Sequence, residues 1–361
     1  MTSQRTQPHF RIAVIMGDGI GREVIPAGIS VVEAAASRAG ASFEFVEFPW
    51  GCEYYLQTGR MMDADAFDRL RAFDTIYLGA IGAPSVPDHV SLWDLILPIR
   101  QRFDQYVNLR PMRLLPGVPC PLAGRGPSEI DMICVRENSE GEYAGLGGRL
   151  YRGTDHEVAE QTGLFTYRGI ERIVRYAFEL ASRRPRKRLA SATKSNALQY
   201  SMVVWDEVVD QVRRDYPTVS FSKYHVDALA ARMITNPGSL DVIVASNLFG
   251  DILTDLGAAI SGSLGVAPGA NINPEWRYPS MFEPIHGSAP DIAGRGIANP
   301  IGAIWAGALM LAHLGQQAAH DAIVRAIEEV LADGSVRTPD LGGRAGTRDV
   351  AEAVRARVLG G

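Results

Sequence analysis

Residues 11–21 of this 361-residue chain have the sequence RIAVIMGDGIG, an apolar run that ends in three alternating glycines. The apolar residues that follow are spaced as on one helix face: Val24, Ala27, Val31 and Ala35. The stretch therefore predicts a buried strand, a tight turn and an amphipathic helix, with Pro26 in the first helical turn. Further strands predicted at 43–48 and 75–78 continue the alternation, which is typical of an α/β fold with a largely parallel sheet.

The three glycines do not fit the G-x-G-x-x-G fingerprint of a Rossmann dinucleotide-binding turn. Counting from Gly17 places Arg22 at the third glycine position, and counting from Gly19 places Val24 there. We therefore interpret the segment as a strand-to-helix turn rather than as a Rossmann domain.

The rest of the chain continues the same alternation. Further strands are predicted at 131–135, 189–192, 220–225 and 241–245. Helices are predicted around 170–183 and at 197–216, 301–313, 319–332 and 348–358. Two stretches rich in Pro and Gly, 111–127 and 265–280, are predicted loops where the chain leaves a first domain and returns to it.

Composition excludes several classes of protein. Hydrophobic residues make up 46% and charged residues 21%, as in ordinary globular domains, and the net charge of −5 without a basic block argues against nucleic acid as a partner. The cysteines Cys52, Cys120 and Cys134 lie far apart, which argues against disulfides or zinc and favours the cytoplasm. The N-terminus lacks the apolar run of a signal peptide, and the longest apolar run, 301–312, is too short to span a membrane.

Two aspartates indicate a metal site. Asp251 and Asp255 are four residues apart, so both carboxylates lie on one face of a predicted helix, beside apolar neighbours. Oxygen ligands in this arrangement suit Mg²⁺ or Mn²⁺. A solvated helix face stays open as the alternative.

A set of basic and phenolic residues indicates an anion site. Arg100, Arg110 and Arg136 are candidates for clamping carboxylates, with surface ion pairs as the alternative. Lys194 follows a predicted strand at the start of a helix, where a cation is unfavourable, and this slightly favours a functional role. Tyr143, within a glycine-rich stretch, would alone be interpreted as a loop aromatic.

A compact run at 283–291 (EPIHGSAPD) leads to ANP at 298–300 and to a predicted helix. Small residues around one histidine let backbone N–H groups approach a phosphate or an adenine. A lone histidine is normally structural, but the surrounding prolines and acid favour a binding loop.

With these motifs in place, the chain resembles the β-decarboxylating dehydrogenases of D-malate-type hydroxy acids, which include the isocitrate, 3-isopropylmalate and tartrate/D-malate enzymes. The motifs run in order along nearly the whole chain: GDGIG at 17–21, NLFGD at 247–251, HGSAPD at 286–291 and NP at 299–300. Three further stretches resemble the tartrate/D-malate branch: YVNLRP at 106–111, PCPLAGR at 119–125, and RPRK at 184–187 before SATK at 191–194.

The resemblance implies a two-domain α/β fold that is not a Rossmann domain. A discontinuous cofactor-binding domain would comprise 1–105 and 265–361, and a central substrate and dimerisation domain 106–264, with an arm near 138–160. Family members are homodimers with shared active sites, in which Lys194 and Asp227 reach into the partner's cleft.

The resemblance also implies a role for each matching residue. Arg100, Arg110 and Arg136 would hold the α-carboxylate, Lys194 would be the base and Tyr143 the acid. Asp251 and Asp255, with Asp227 of the partner subunit, would bind Mn²⁺ or Mg²⁺, and K⁺ is a further candidate ion. The positions that would bind NAD are Glu283, His286, Gly287, Ser288, Ala289, Asp291 and Asn299. An acid at 291 favours NAD over NADP, because its charge would face a 2′-phosphate.

The expected activity is oxidation with decarboxylation of a small hydroxy diacid such as D-malate or tartrate. Ile96 and Leu97 are expected to line the substrate pocket and keep 3-isopropylmalate open as an alternative. Asp94 and Ile96 replace the Ser and Asn that would hold the third carboxylate of isocitrate, so isocitrate is disfavoured. Asp94 and Pro98 also depart from the Gly and Lys of the tartrate/D-malate pattern. A non-catalytic regulatory subunit and a redox-neutral decarboxylase of meso-tartrate also stay open.

Overall fold

The computed structural model describes residues 8–360; residues 1–7, which carry most of the polar N-terminal segment, and Gly361 lie outside the described residues. The strands are β1 (His9–Gly17), β2 (Ser42–Glu47), β3 (Thr75–Ala80), β4 (Val107–Arg113), β5 (Asp131–Glu137), β6 (Gly141–Leu150), β7 (Val158–Leu164), β8 (Arg188–Thr193), β9 (Ser220–His225), β10 (Val242–Ala245), β11 (Pro268–Ile272) and β12 (Ser280–Pro284). The helices are α1 (Gly21–Ala39), α2 (Cys52–Thr58), α3 (Ala66–Leu70), α4 (Asp88–Ser91), α5 (Leu97–Arg102), α6 (Tyr167–Arg183), α7 (Ser201–Val212), α8 (Val226–Thr235), α9 (Asn247–Ile260), α10 (Ile301–His313), α11 (Gln317–Asp333) and α12 (Thr347–Gly360).

Ten strands form one mixed sheet in the order β2-β1-β3-β12-β11-β4-β5-β10-β8-β9. Strands β1, β2, β3 and β12 pair in parallel, and so do β5, β10, β8 and β9. Between these two groups, β11 pairs antiparallel with β12 and β4, and β4 pairs antiparallel with β5. The predicted α/β architecture is confirmed.

The two parallel groups come from different parts of the chain. One consists of strands from 9–80 and 280–284, and the other of strands from 131–245. The domain boundaries at 105/106 and 264/265 stay predictions. Strands β4 and β11, which begin shortly after these boundaries, are neighbours in the sheet and connect the two parallel groups.

The predicted strand–turn–helix unit at the N-terminus is confirmed, since β1 ends at Gly17 and α1 begins at Gly21. The packing explains two of the glycines. A Cβ on Gly17 would collide with the Ala80 carbonyl oxygen, and one on Gly19 with the Ser288 carbonyl oxygen. The turn therefore packs against two other loops rather than leaving room for a pyrophosphate.

Three expectations about local structure are wrong. Pro26 lies inside α1 rather than in its first turn. Helix α7 covers only Ser201–Val212 of the predicted 197–216, and a short 3₁₀ turn follows it. The stretch 265–280, expected to be a loop, contains β11, which begins at Pro268, where a proline costs no ladder hydrogen bond.

The longest apolar helix, α10, is a core element. Its residues are buried almost all round, between the sheet and the neighbouring helices α1 and α11. Among residues 8–360, no helix combines the length and apolarity that crossing a bilayer requires.

The glycine-rich stretch forms an antiparallel hairpin of β6 and β7 that stands apart from the main sheet. Its outer part is exposed, including four large apolar side chains: Leu146, Leu150, Tyr151 and Val158. The hairpin occupies the region where the arm is expected, and Tyr143 lies near its base.

Candidate active site

Asp251 and Asp255 lie on α9, directly after the buried strand β10, and differ in their surroundings. The Arg136 guanidinium pairs with one oxygen of Asp251, and the Tyr143 hydroxyl donates to the other at 2.9 Å. Burial alone would raise the pKa of Asp251, but Arg136 and the Tyr143 hydrogen bond outweigh it and lower that pKa. Burial and the nearby Asp251 raise the pKa of Asp255. Asp251 is therefore part of a charged network while 40% of its side chain stays accessible, and Asp255 is exposed.

The three arginines are buried, each with at most 6% of its surface exposed, and none is a surface ion pair. Arg136 donates from Nε and Nη2 to the Asn247 side-chain oxygen at 3.0 and 2.8 Å. Arg100 donates to Glu283 at 2.8 Å, and Arg110 donates to Asn108 at 2.7 Å. These partners hold the guanidinium groups in fixed positions.

Burial and the neighbouring charge of Arg136 lower the pKa of Arg110 to about 10. Burial likewise lowers the pKa of Arg136, despite the attraction of Asp251. Arg110 is still a cation at neutral pH. The concentration of buried positive charge favours an anionic ligand.

A cavity of about 160 Å³ connects the arginines with the predicted cofactor loop. Its lining includes Ile96, Arg100, Arg110, Glu283 and His286. It thus brings together residues predicted separately to bind the substrate and the cofactor.

The segment that contains Ile96 and Leu97, which are expected to line the substrate pocket, is irregular where the chain departs from the tartrate/D-malate pattern. Residues 92–96 form a π-helical turn, in which the Leu97 N–H bonds to the Leu92 carbonyl, just before Pro98. Leu97 is 2% exposed and does not line the cavity, whereas Ile96 does. Asp94 is exposed and likewise absent from the cavity lining.

The run at 283–291 begins with the last two residues of β12 and continues as a loop from 285. The His286 Nε2 atom is buried and has no hydrogen-bond partner among the described residues, and burial lowers the pKa of this histidine. A Cβ on Gly287 would meet open space, Ala289 has a left-handed φ of 41°, and Asp291 is exposed. Ser288 is buried, and its carbonyl accepts from Ile20 N at 2.9 Å.

Asn299 follows this loop and is held by two hydrogen bonds just before α10. Its side-chain nitrogen donates to Asp340 at 3.0 Å, and its oxygen accepts from Ile301 N at 3.0 Å at the start of α10. Asp340, which sequence reasoning missed, also accepts from Thr338 and Ser263. Nothing in its local sequence connects it with a loop 41 residues away.

Lys194 and Asp227 lie together but apart from the Asp251 network. The Lys194 ammonium is 2.7 Å from the Asp227 carboxylate, and this hydrogen bond lowers the pKa of Asp227. Within residues 8–360, no group of three or more His, Cys, Asp or Glu side chains is close enough to hold a metal ion. One chain therefore brings together two of the three predicted metal ligands.

Tyr143 lies beside the Arg136 guanidinium, whose central carbon is 5.6 Å from the ring centre. Burial, followed by the charge and hydrogen bond of Asp251, raises the pKa of Tyr143 to about 12. The hydroxyl is therefore protonated at neutral pH and can donate a proton.

Sequence reasoning also missed three amides around the arginines: Asn108 and Asn247, which accept from Arg110 and Arg136, and Asn271, which bonds to Asn108 and Glu283. All three are nearly or fully buried, although asparagine is usually exposed. Asn108 and Asn247 lie within the motifs at 106–111 and 247–251, so an asparagine inside an otherwise apolar strand, or four residues before an acid, was the available signal.

Comparisons with known proteins agree with this arrangement. The family model described as isocitrate/isopropylmalate dehydrogenase matches residues 11–354. The D-malate dehydrogenase [decarboxylating] of Escherichia coli (strain K12) is 57% identical over 97% of this chain and 99% of its own length. The tartrate dehydrogenase/decarboxylase of Pseudomonas putida is 55% identical over 96% of each chain.

A solved structure shows the same fold. The isocitrate dehydrogenase from Methylococcus capsulatus superimposes with a TM-score of 0.87 at 36% identity, covering 97% of this chain and 99% of the other. The buried arginines, the paired aspartates and the histidine loop thus lie in a fold shared over almost the whole chain. This protein belongs to the isocitrate/isopropylmalate dehydrogenase family.

Proposed function

We propose that this chain is a decarboxylating dehydrogenase that oxidises D-malate or tartrate with NAD and a divalent metal ion. The observation that carries the proposal is the 57% identity, over nearly the full length, to a relative named D-malate dehydrogenase [decarboxylating]. The site supports it, because the buried Arg100 and Arg110 line a small cavity, and the buried Arg136 pairs with Asp251, one of two carboxylates of the metal-binding type. Such a site suits a short dianion with a hydroxyl group.

The oxygen donors fit a divalent cation shared between two chains. Asp251 and Asp255 would hold it from one side, and Asp227 of the partner subunit would complete the set. When bound, such an ion acts as a Lewis acid that polarises the substrate's hydroxyl and carbonyl oxygens. Arg136 and Tyr143 already fix the orientation of the Asp251 carboxylate.

The histidine loop fits a nicotinamide dinucleotide, which would accept the hydride. The buried His286 Nε2 without a partner offers a hydrogen bond to a ligand, and the open space at Gly287 leaves room for one. Asp291 is exposed, and its negative charge would repel a 2′-phosphate if it faced the cofactor's ribose, which favours NAD over NADP.

Two residues would divide the proton transfers. Lys194, as the neutral amine, would accept the hydroxyl proton, and in the free chain its side chain is oriented by Asp227. Tyr143, whose pKa is raised to about 12, would supply a proton to the enol carbon after decarboxylation. Arg100, Arg110 and Arg136 would bind the carboxylate that stays on the product.

The arrangement also supports a homodimer. Lys194 and Asp227 lie apart from Asp251 and Asp255 in one chain, so a second copy of the chain would be needed to bring the three aspartates and Lys194 into one site. Apolar side chains on the hairpin are exposed, and so is Ile252, with 59% of its surface accessible between the two metal-site aspartates. Large exposed apolar groups beside an incomplete site are typical of an interface.

3-Isopropylmalate is the second candidate substrate, because apolar Ile96 lines the cavity and Asp94 does not. Burying an isopropyl group there would contribute roughly 2 kcal/mol at about 0.8 kcal/mol per CH₂-sized group. The retained Tyr143, Lys194, Asp227 and Asp251 argue against a non-catalytic regulatory subunit.

The test is kcat/KM for D-malate, L-tartrate and 3-isopropylmalate at identical Mn²⁺ and NAD concentrations. We expect D-malate or tartrate to be preferred, with one NADH formed per CO₂ released. A tenfold or larger preference for 3-isopropylmalate, about 1.4 kcal/mol in transition-state binding, would overturn the substrate assignment. Release of CO₂ from tartrate without net NADH would show the redox-neutral reaction instead.

A further inference from the structure

A chain of buried hydrogen bonds connects the two arginines that line the cavity. Arg110 Nε donates to the Asn108 oxygen at 2.7 Å, and the Asn108 nitrogen donates to the Asn271 oxygen at 2.7 Å. The Asn271 nitrogen donates to Glu283 Oε1 at 2.8 Å, and Arg100 donates to that same oxygen at 2.8 Å. The Asn271 side chain therefore contacts both guanidinium groups indirectly, through Asn108 on one side and through Glu283 on the other.

Asn271 uses all of its hydrogen-bonding capacity. Its oxygen also accepts from Asn138 at 2.9 Å, and its nitrogen also lies 3.4 Å from the Met281 carbonyl. Its surface is fully buried, so no water competes for these positions. A carboxamide has two donor hydrogens and two acceptor lone pairs, and here each is engaged.

The Glu283 carboxylate, which belongs to this series of hydrogen bonds, determines which way the Asn271 and Asn108 side-chain amides are oriented. Glu283 only accepts, so the Asn271 nitrogen must face it and the Asn271 oxygen must face Asn108. Asn108 then presents its oxygen to Arg110. Reversing the Asn271 amide would set nitrogen against nitrogen on one side and oxygen against oxygen on the other.

The register of the sheet builds this arrangement. Asn271 on β11 is the direct cross-strand neighbour of Asn108 on β4 and of Met281 on β12. Two residues before Asn271, Gly269 leaves room for the Ile285 side chain, since a Cβ there would lie 2.5 Å from Ile285 Cδ1. The network therefore sits at the junction between the two parallel groups of strands.

The arginines need such positioning because they repel one another. The charges of Arg136 and Arg100 both lower the pKa of Arg110. Burial would raise the pKa of Glu283, but Arg100 and Arg110 lower it overall, so this group is a carboxylate at neutral pH. Glu283, predicted from the sequence to bind the cofactor, has one oxygen committed to Arg100 and Asn271.

We propose that Asn271 is a positioning residue that fixes the placement of Arg100 relative to Arg110 for the carboxylate of the substrate. The proposal rests on the proposed function, in which these arginines bind a hydroxy diacid. It assigns to Asn271 an effect on diacid affinity that is separate from the hydride-transfer step and from NAD binding.

The test compares Asn271→Asp with the matched control Asn273→Asp. Asn273 is also fully buried, two residues further along the chain, but it bonds to the Asp104 carbonyl and the Arg277 N–H rather than to the arginine network. An aspartate at 271 keeps the side-chain volume, removes the donor to Glu283 and places a like charge beside it. The measurements are kcat, KM for D-malate, and the Kd for NAD without diacid.

We expect Asn271→Asp to raise KM for D-malate about tenfold or more, as for the loss of one hydrogen bond to a charged group, with kcat within about threefold of wild type. The Kd for NAD should not change. Asn273→Asp should leave all three quantities unchanged. An unaltered KM in Asn271→Asp, an equal rise in Asn273→Asp, or a change confined to NAD binding would overturn the proposal.

Two further results separate the possible failures. If thermal unfolding shows that Asn271→Asp does not fold, Asn108→Ala replaces it, because this variant frees Arg110 without touching Glu283; its KM for D-malate should rise about tenfold on the same grounds, and an unchanged KM overturns the proposal. Wild-type protein that turns over none of the diacids refutes the proposed function and, with it, the role of Asn271. Wild-type turnover with normal KM in the variants refutes only the role of Asn271.

Discussion

Substituting Gly250 by alanine should displace Arg136 and weaken substrate binding. Gly250 lies on α9 immediately before Asp251. A Cβ built on it would lie 2.5 Å from Arg136 Cγ, 2.7 Å from its Cβ and 3.1 Å from its Cδ. Ordinary carbon–carbon contacts are about 3.5–4.0 Å, so the arginine stem would have to move by roughly 1 Å.

The size of the effect follows from the contacts of Arg136. Its two hydrogen bonds to Asn247, at 3.0 and 2.8 Å, would be stretched beyond hydrogen-bond range. Hydrogen bonds to charged groups contribute about 1.5–3 kcal/mol, so losing one such contact to the substrate carboxylate raises KM by roughly 10- to 150-fold. Overpacking destabilises the fold by about 1–3 kcal/mol, while replacing a helical glycine with alanine stabilises the helix by about 0.8–1 kcal/mol. The free energy of unfolding should therefore fall by only about 0–2 kcal/mol.

The assay is steady-state kinetics with D-malate, combined with urea unfolding, and Gly257→Ala is the matched control. Gly257 lies on the same helix, and its added Cβ would collide with the Met112 sulfur, which is not one of the site residues. The control should lose stability without a change in KM for D-malate. A normal KM in Gly250→Ala, or the same rise in Gly257→Ala, would refute the reasoning.

Three further predictions concern the proposed roles. Tyr143→Phe should retain more oxidation of a diacid that is not decarboxylated than Lys194→Ala, with each variant losing about 10²–10⁴-fold in the full reaction; equal, small losses would count against the division of roles. The ratio of kcat/KM for NAD to that for NADP should favour NAD and should fall in Asp291→Ser, whereas a wild-type preference for NADP would contradict it. Chelator-treated protein should be inactive and regain activity with Mn²⁺ or Mg²⁺, while Asp251→Asn should not; full activity after stringent metal removal would exclude a metal at Asp251 and Asp255.

Much of the fold was predictable because buried parallel strands are nearly continuous apolar runs. The predicted strands at 131–135, 189–192 and 241–245 coincide with β5, β8 and β10. Strand β11 was missed because Pro268 and Gly269 resemble a turn in isolation. The proline is tolerated as the first strand residue, and the glycine leaves room for the Ile285 side chain, a contact that no local pattern shows.

The site was predictable residue by residue only where motifs are contiguous. Asn271 lies 163 residues from Asn108, and their contact depends on β11 being inserted between β12 and β4. Glu283 illustrates the same limit: its motif indicates a cofactor loop, whereas its partner Arg100 lies 183 residues earlier in the chain. Sequence patterns identify which groups the site contains, but the strand order determines which of them pair.

Those pairings explain how so many charges remain buried in the free chain. Arg136 pairs with Asp251, and Arg100 pairs with Glu283. An unpaired buried charge costs several kcal/mol, so the internal partners are a condition of folding with this site intact. A substrate carboxylate offers Arg100 and Arg136 acceptors of the same chemistry as Glu283 and Asp251. We therefore expect the affinity for a substrate carboxylate to depend on how well these partners have already placed the arginines, and not only on how many hydrogen bonds the substrate makes.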